Sequence, residues 1–135
     1  MTRTRRATVA MLLVGLAIFS SLYSTQAILP TLVHNMGLSS TEAAMTVSAA
    51  TGALALCVVP ASILSERFGR GRILLISAVA ATGVGLIVPF AQEGWQLIVV
   101  RGLQGALLSG APATAMAWLS EELDDKALPR AMGLY

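Results

Sequence analysis

The sequence predicts an all-α protein that crosses a membrane four times. Hydrophobic residues make up 56% of the 135 residues and charged residues only 12%, against about 25% charged residues in soluble domains. Mean hydropathy is correspondingly high, at +0.75. Four runs of the chain approach the roughly 20 apolar residues that a helix needs to span a bilayer. So few charges cannot cover a water-facing surface, and the lipid bilayer is therefore the expected surrounding.

The four predicted spans cover about residues 7–29, 43–64, 73–91 and 95–119. Each is rich in Leu, Val, Ile and Ala and contains no acidic residue, so its backbone polar groups would be satisfied within a helix. The first span also fits a cleaved signal peptide, with a basic start at Arg3 to Arg6 and a possible cleavage site ending at Ala27. A retained helix is favoured because apolar residues continue to Leu29 and three further spans follow.

The distribution of Lys and Arg predicts that both chain ends lie in the cytoplasm. Three arginines precede the first span and three lie between the second and third, whereas residues 31–42 and 92–94 contain no Lys or Arg. Positive residues are retained on the cytoplasmic side, which gives an N-in, C-in topology. Trp95 and Trp118, at the two ends of the fourth span, suit the membrane interfaces. His34 is expected to be a solvated residue of an outer loop.

The residues with reactive side chains do not form an enzyme-like set. Cys57 is the single cysteine, and the sequence contains no metal-ligand spacing, no nucleophile with a base, and no phosphate-binding glycine loop. The basic residues are short flanks of apolar runs without interleaved aromatic residues, which argues against nucleic-acid binding. We therefore expect no catalytic residue, no metal site, no cofactor and no nucleic-acid partner.

Polar residues within the predicted spans are the candidate site. Arg101 and Gln104 lie three residues apart inside the fourth span, where a charge costs about 2.5–3.5 kcal/mol and marks a functional site by default. An alternative is that Arg101 only extends outward to the interface. Tyr23 and Gln26, late in the first span, share a helix face and are expected to point into the bundle or a wet cavity, although this patch also fits the outer interface.

Small residues in the fourth span predict close helix packing. They form two stripes at a spacing of four, which include Gly102, Gly105 and Gly110. Small side chains allow helices in a membrane to approach closely. Pro112 in the same span predicts a kink.

The link between the second and third spans contains the most specific pattern. It reads S-x-x-x-E-R-x-G-R-G from Ser62, which resembles the G-x-x-x-D-R-x-G-R-R/K motif of the major facilitator superfamily. The residues that match or nearly match are Glu66, Arg67, Gly69 and Arg70, whereas Ser62 and Gly71 depart from the motif. The resemblance implies a conformational latch that biases which side of a transporter is open. On the residues alone, an arginine-rich loop that only sets topology fits equally well.

A second match supports this resemblance. Residues 101–105 read R-G-L-Q-G, similar to the R-x-x-Q-G signature of the same superfamily. The resemblance implies that Arg101 and Gln104 face a central cavity and take part in solute binding or proton coupling. The first and second spans are also similar to bacterial permeases of the arabinose-efflux and drug:proton antiporter kind.

The resemblance implies helices 1–4 of the superfamily fold, with residues 129–135 entering a fifth helix. It therefore predicts an N-terminal fragment of a proton-coupled exporter of a drug-like or sugar-like solute in the bacterial plasma (inner) membrane. Its partners would be the bilayer, the solute, protons and the missing C-terminal helices. Two alternatives remain: a dimeric small multidrug exporter, which would need a glutamate that the first span lacks, and a non-transporting interaction subunit.

Overall fold

A computed structural model describes residues 3–122, together with Pro129 and Gly133, and the elements within this range are helical. They are α1 (Arg3–Ala27), α2 (Leu29–Met36), α3 (Ser40–Phe68), α4 (Arg70–Gly85), a 3-10 turn (Val88–Phe90), α5 (Gly94–Leu108) and α6 (Gly110–Glu122). The predicted all-α class is confirmed. The expected start of a fifth helix at 129–135 lies outside the described residues, apart from the two named above.

Three continuous helical segments within the described residues are long and apolar enough to cross a membrane: Arg5–Met36, Ser40–Phe68 and Arg70–Phe90. They include the first three predicted spans. The fourth predicted span is occupied by α5 and α6, which are separate helices joined at Ser109. The protein is therefore a polytopic helical bundle, with one span divided into two segments.

The expectation that His34 lies in a loop is wrong, because much of the connection after the first span is helical. After a single turn residue, Ile28, the chain continues as α2 up to Met36. Pro30 does not prevent this, because it lies in the first turn of α2, where its missing N–H has no helical partner to lose. His34 is consequently a helical residue. The segment ends at Gly37, whose φ of 63° is left-handed and typical of a helix C-terminus.

The second span begins three residues earlier than predicted because a capping box defines its start. The backbone N–H of Glu42 donates to Ser39 Oγ at 3.1 Å, and the N–H of Ser39 donates to Glu42 Oε2 at 2.9 Å. These reciprocal bonds satisfy two donors that the first turn of a helix otherwise leaves unpaired. The same helix ends at Phe68, and Gly69 alone joins it to α4 with a φ of 94°.

The division of the fourth span agrees with the kink predicted from Pro112. A proline removes an N–H from the helix and clashes with the carbonyl four residues earlier, here that of Leu108. At the join, the N–H of Ser109 is shared between Gly105 O at 3.2 Å and Ala106 O at 3.3 Å. Side-chain hydroxyls also donate to helix carbonyls on both sides of the join, from Ser109 to Ala106 and from Thr114 to Gly110.

Close contacts between small residues position α5 and α6 against the preceding helices. A Cβ atom at Gly105 would overlap the backbone carbonyl of Ala50 in α3, and one at Gly110 would overlap the hydroxyl of Ser77 in α4. At Gly102 the nearest atoms would be 3.9 Å away, an ordinary contact. Two of the three predicted packing glycines thus lie where a side chain would not fit.

Candidate functional site

The guanidinium of Arg101 lies in the interior of the helical bundle. Arg101 is on α5 and is only 1% exposed. Its Nη1 donates to the backbone carbonyl of Ser21 at 3.0 Å, and its Nη2 donates to the carbonyl of Leu22. Both acceptors belong to α1, so the side chain joins the first and fourth spans. Arg101 therefore does not extend outward to the membrane interface, the alternative considered from the sequence.

The positive charge of Arg101 is balanced by dipoles in the part of the chain that the structure describes. Its acceptors there are two carbonyl groups and the side-chain oxygen of Gln104, and no described carboxylate forms an ion pair with it. Its Nε is buried and has no hydrogen-bond partner among the described residues. A buried cation stabilised only by dipoles retains an attraction for an anion.

Gln104 connects three helices through a side chain whose orientation is fixed. Its Oε1 accepts a hydrogen bond from Arg101, so its Nε2 points away from the guanidinium. Nε2 donates to Ser21 Oγ in α1 at 2.8 Å and approaches Ala81 O in α4 at 3.5 Å. Gly85 leaves room for this amide, because a Cβ there would lie 2.7 Å from Nε2. Arg101, Gln104 and Ser21 form what we call the core polar cluster.

Tyr23 and Gln26 do not join the core polar cluster. Both side chains are exposed on the described chain, and the Tyr23 ring stacks on Phe19 with the ring centres 6.1 Å apart. The helical rotation of about 100° per residue explains the difference, because Ser21 and Leu22 face α5 and the next residue turns away. Tyr23 and Gln26 therefore lie on a neighbouring face of α1.

The residues of the predicted latch lie at the connection of α3 and α4. Arg70 begins α4, and its Nη1 lies 2.8 Å from Glu121 Oε1 in α6. Glu66 and Arg67 are exposed, and no ion pair joins either of them to another described residue. Gly69, with its positive φ, provides the sharp reversal between the helices. The loop is thus tied to the fourth span through Arg70.

Sequence reasoning missed two members of these contacts, Ser21 and Glu121. Ser21 lies 83 residues from Gln104 in the chain, and a serine in an apolar run gives only a weak signal. Glu121 belongs to an acidic stretch at the end of the fourth span. Its position just after the fourth span, on the same predicted side of the membrane as the arginines of the α3–α4 connection, is the available signal for an ion pair.

These features can be compared with known proteins. The sequence profile of the Major Facilitator Superfamily matches residues 11–135. The chain belongs to this superfamily. The matched range includes the R-x-x-Q-G residues and the loop around Gly69. The family points to a transporter instead of an enzyme.

Curated relatives are transporters of bacteria. The chain is 35% identical over 131 residues to the uncharacterized MFS-type transporter YybF of Bacillus subtilis, and covers 97% of itself and 32% of that protein. It is 32% identical over 130 residues to the inner membrane transport protein YnfM of Escherichia coli, covering 96% and 31%. A probable 4-methylmuconolactone transporter of Cupriavidus pinatubonensis is 34% identical over 106 residues, with 78% and 25% covered.

The chain spans about a third of the length of the first two relatives. No solved structure matches it significantly. The superfamily assignment indicates a multi-pass membrane protein of transporter type.

Proposed function

We propose that residues 1–135 supply the N-terminal helices of a transporter that moves a small solute across the bacterial inner membrane by alternating access. In this proposal both ends of the four-span segment face the cytoplasm, and transport is proton-coupled efflux of a drug-like or sugar-like compound. The observation that carries it is the core polar cluster, a buried cation within a membrane span of a superfamily member. Such a charge is expensive to bury and is retained for a function.

Arg101 contributes a fixed positive charge to the solute or proton pathway. Its two carbonyl acceptors and Gln104 hold the guanidinium in one orientation, so little reorganisation accompanies a change of charge nearby. The four predicted spans contain no acidic residue. A carboxylate that carries the coupled proton is accordingly expected in the rest of the transporter. Tyr23 and Gln26, on the exposed face of α1, are candidates for contact with the solute.

The loop at Gly69 acts in this proposal as the conformational latch. Arg70 and Glu121 link the start of α4 to the end of the fourth span. Arg101 lies in the first half of the same span. Glu66 and Arg67 are exposed beside this ion pair and are available to helices of the other half of the transporter. Forming or breaking contacts between these two residues and the other half would change which side of the membrane the transporter opens to.

A second candidate is the uptake of an organic anion. The Arg101 guanidinium favours it, because no carboxylate among the described residues pairs with it and a carboxylate solute would supply a negative charge. Two relatives carry names in keeping with such solutes, the 4-methylmuconolactone transporter and a gallate transporter of Pseudomonas putida that is 31% identical over 96 residues.

Flux measurements on the complete transporter test the proposal. The transporter that contains residues 1–135 is reconstituted in vesicles, and accumulation of cationic drugs, sugars and gallate is measured with and without an imposed pH gradient. Arg101→Ala is expected to abolish flux of the accepted solute while the protein still inserts. Gly102→Ala is the matched control, because Gly102 is next to Arg101 in the chain and has room for a methyl group. Equal flux in parent and Arg101→Ala would remove Arg101 from the pathway.

A further inference from the structure

Gly85, the last residue of α4, lies against the side chain of Gln104 in α5. Its backbone does not require a glycine, because the positive φ values of the described residues belong to Gly37 and Gly69. Within a helix alanine is ordinarily more favourable than glycine. A side chain at position 85 would therefore act through the atoms it touches, and not through the backbone.

A methyl group at position 85 would collide with the amide of Gln104. A Cβ atom there would lie 2.7 Å from Gln104 Nε2, whereas an ordinary contact begins at 3.4 Å, so the nitrogen would have to move by about 0.7 Å. Turning the amide over gives no relief, because the amide oxygen would then meet the same methyl group. It would also place the amide N–H groups beside the guanidinium of Arg101, where two donors would face each other.

Hydrogen bonds at both ends of the Gln104 amide oppose such a movement. Its Oε1 accepts from Arg101 Nη1, and its Nε2 donates to Ser21 Oγ at 2.8 Å. Normal N–H···O distances lie within about 2.7–3.2 Å, a range narrower than the displacement that the methyl group requires. We therefore expect a side chain at position 85 to break or bend at least one of these two bonds.

The orientation of the Arg101 guanidinium depends in turn on Gln104. Within the described residues the guanidinium has three acceptors, two main-chain carbonyls of α1 and Gln104 Oε1, while its Nε has none. The carbonyls are fixed by the α1 backbone, whereas the Gln104 oxygen is on a side chain that can turn away. Gln104 is thus the variable contact of this buried cation.

We propose that Gly85 is a positioning residue, whose lack of a side chain sets the orientation of Gln104 and, through it, that of the Arg101 guanidinium. The consequence for transport rests on the proposed function, in which this guanidinium belongs to the solute or proton pathway. α4 then contributes to the core polar cluster by the space it leaves at Gly85, in addition to the carbonyl of Ala81.

Glycine-to-alanine variants of the complete transporter test the proposal. Gly85→Ala is compared with Gly83→Ala, the matched control on the same helix, where a Cβ would meet none of the described atoms within 4 Å. The transporter is labelled with heavy-nitrogen arginine for NMR in lipid nanodiscs, and the Nε–H signal of Arg101 is assigned by its loss in Arg101→Met. We expect this signal to move by more than its line width in Gly85→Ala and to stay in place in Gly83→Ala.

A second substitution determines whether Gly85 acts through Gln104. In Gln104→Ala the amide is absent, so the added methyl group has nothing to displace. Gly85→Ala/Gln104→Ala should therefore give the same Arg101 signal as Gln104→Ala alone, a non-additivity that separate structural effects would not produce. An unmoved signal in Gly85→Ala, or an equal displacement with and without Gln104, would overturn the proposal.

Flux through the same proteins distinguishes the proposal from the proposed function. Accumulation of ethidium, arabinose and gallate is measured in vesicles. We expect Gly85→Ala to lower the flux of the accepted solute about tenfold relative to Gly83→Ala, since misplacing a functional group by about 1 Å can cost about 100-fold. Equal flux in the two variants despite a displaced Arg101 signal would overturn the role of Gly85 in transport. A parent that transports none of the three solutes would reject the proposed function, while the NMR comparison would still decide whether Gly85 positions Arg101.

Discussion

Replacing Arg101 by methionine should leave the stability of the protein nearly unchanged while abolishing transport. The change removes two hydrogen bonds to α1, to Ser21 O and Leu22 O, and the bond to Gln104. Hydrogen bonds between membrane helices contribute about 0.6 kcal/mol each, so the two bonds to α1 account for about 1.2 kcal/mol. Leaving the Gln104 oxygen unpaired adds about 1–3 kcal/mol.

An opposing contribution comes from the charge. Removing an arginine from the interior of a span recovers about 2.5–3.5 kcal/mol on insertion scales. The two contributions cancel to within about 2 kcal/mol in either direction, and methionine retains most of the side-chain volume. We therefore expect a small change in the free energy of unfolding together with a loss of flux.

Thermal unfolding followed by circular dichroism, with flux measured on the same preparations, checks this expectation. Arg101→Met/Gln104→Leu is the informative double variant. It removes the unpaired Gln104 oxygen but also the Gln104 bonds to Ser21 Oγ and Ala81 O, so its stability should lie close to that of Arg101→Met. A loss of stability well beyond 2 kcal/mol in Arg101→Met, with flux lost only in proportion to unfolded protein, would refute the reasoning. Arg101 would then be a purely structural residue.

Three further predictions concern the packing of α5 and the connection between α3 and α4. Gly105→Leu should prevent normal packing of α5 on α3, since even a Cβ overlaps Ala50 O, and the yield of folded protein should fall relative to Gly102→Ala; equal yields would contradict the contact. Arg70→Glu and Glu121→Arg should each alter the balance of open states, measured by cysteine accessibility, and the double exchange should restore it if their ion pair is the cause. Glu66→Gln should shift the same balance, and identical accessibility in variant and parent would reduce the loop to a topology signal.

The sequence predicted the spans and the polar residues of the fourth span because both depend on local composition. Arg101 is recognisable from its apolar neighbours alone. Its partners are not, since Ser21 O is 80 residues away in the chain and any residue could supply a backbone carbonyl. Which face of α1 meets α5 is determined by the packing of whole helices, so Tyr23 was grouped with a site that Ser21 joins instead. α2 was not predicted; its Pro30 lies in the first turn, where a helix tolerates proline.

The contact between Arg101 and α1 has a consequence for how such a protein can diverge. The arginine binds main-chain oxygens of residues 21 and 22, and every amino acid provides the same oxygen. Side chains along the exposed face of α1 can therefore be exchanged without removing these two attachments. The same buried charge can in this way be combined with different side chains on the exposed face of α1. A change of solute preference would then leave the hydrogen bonds between Arg101 and α1 in place.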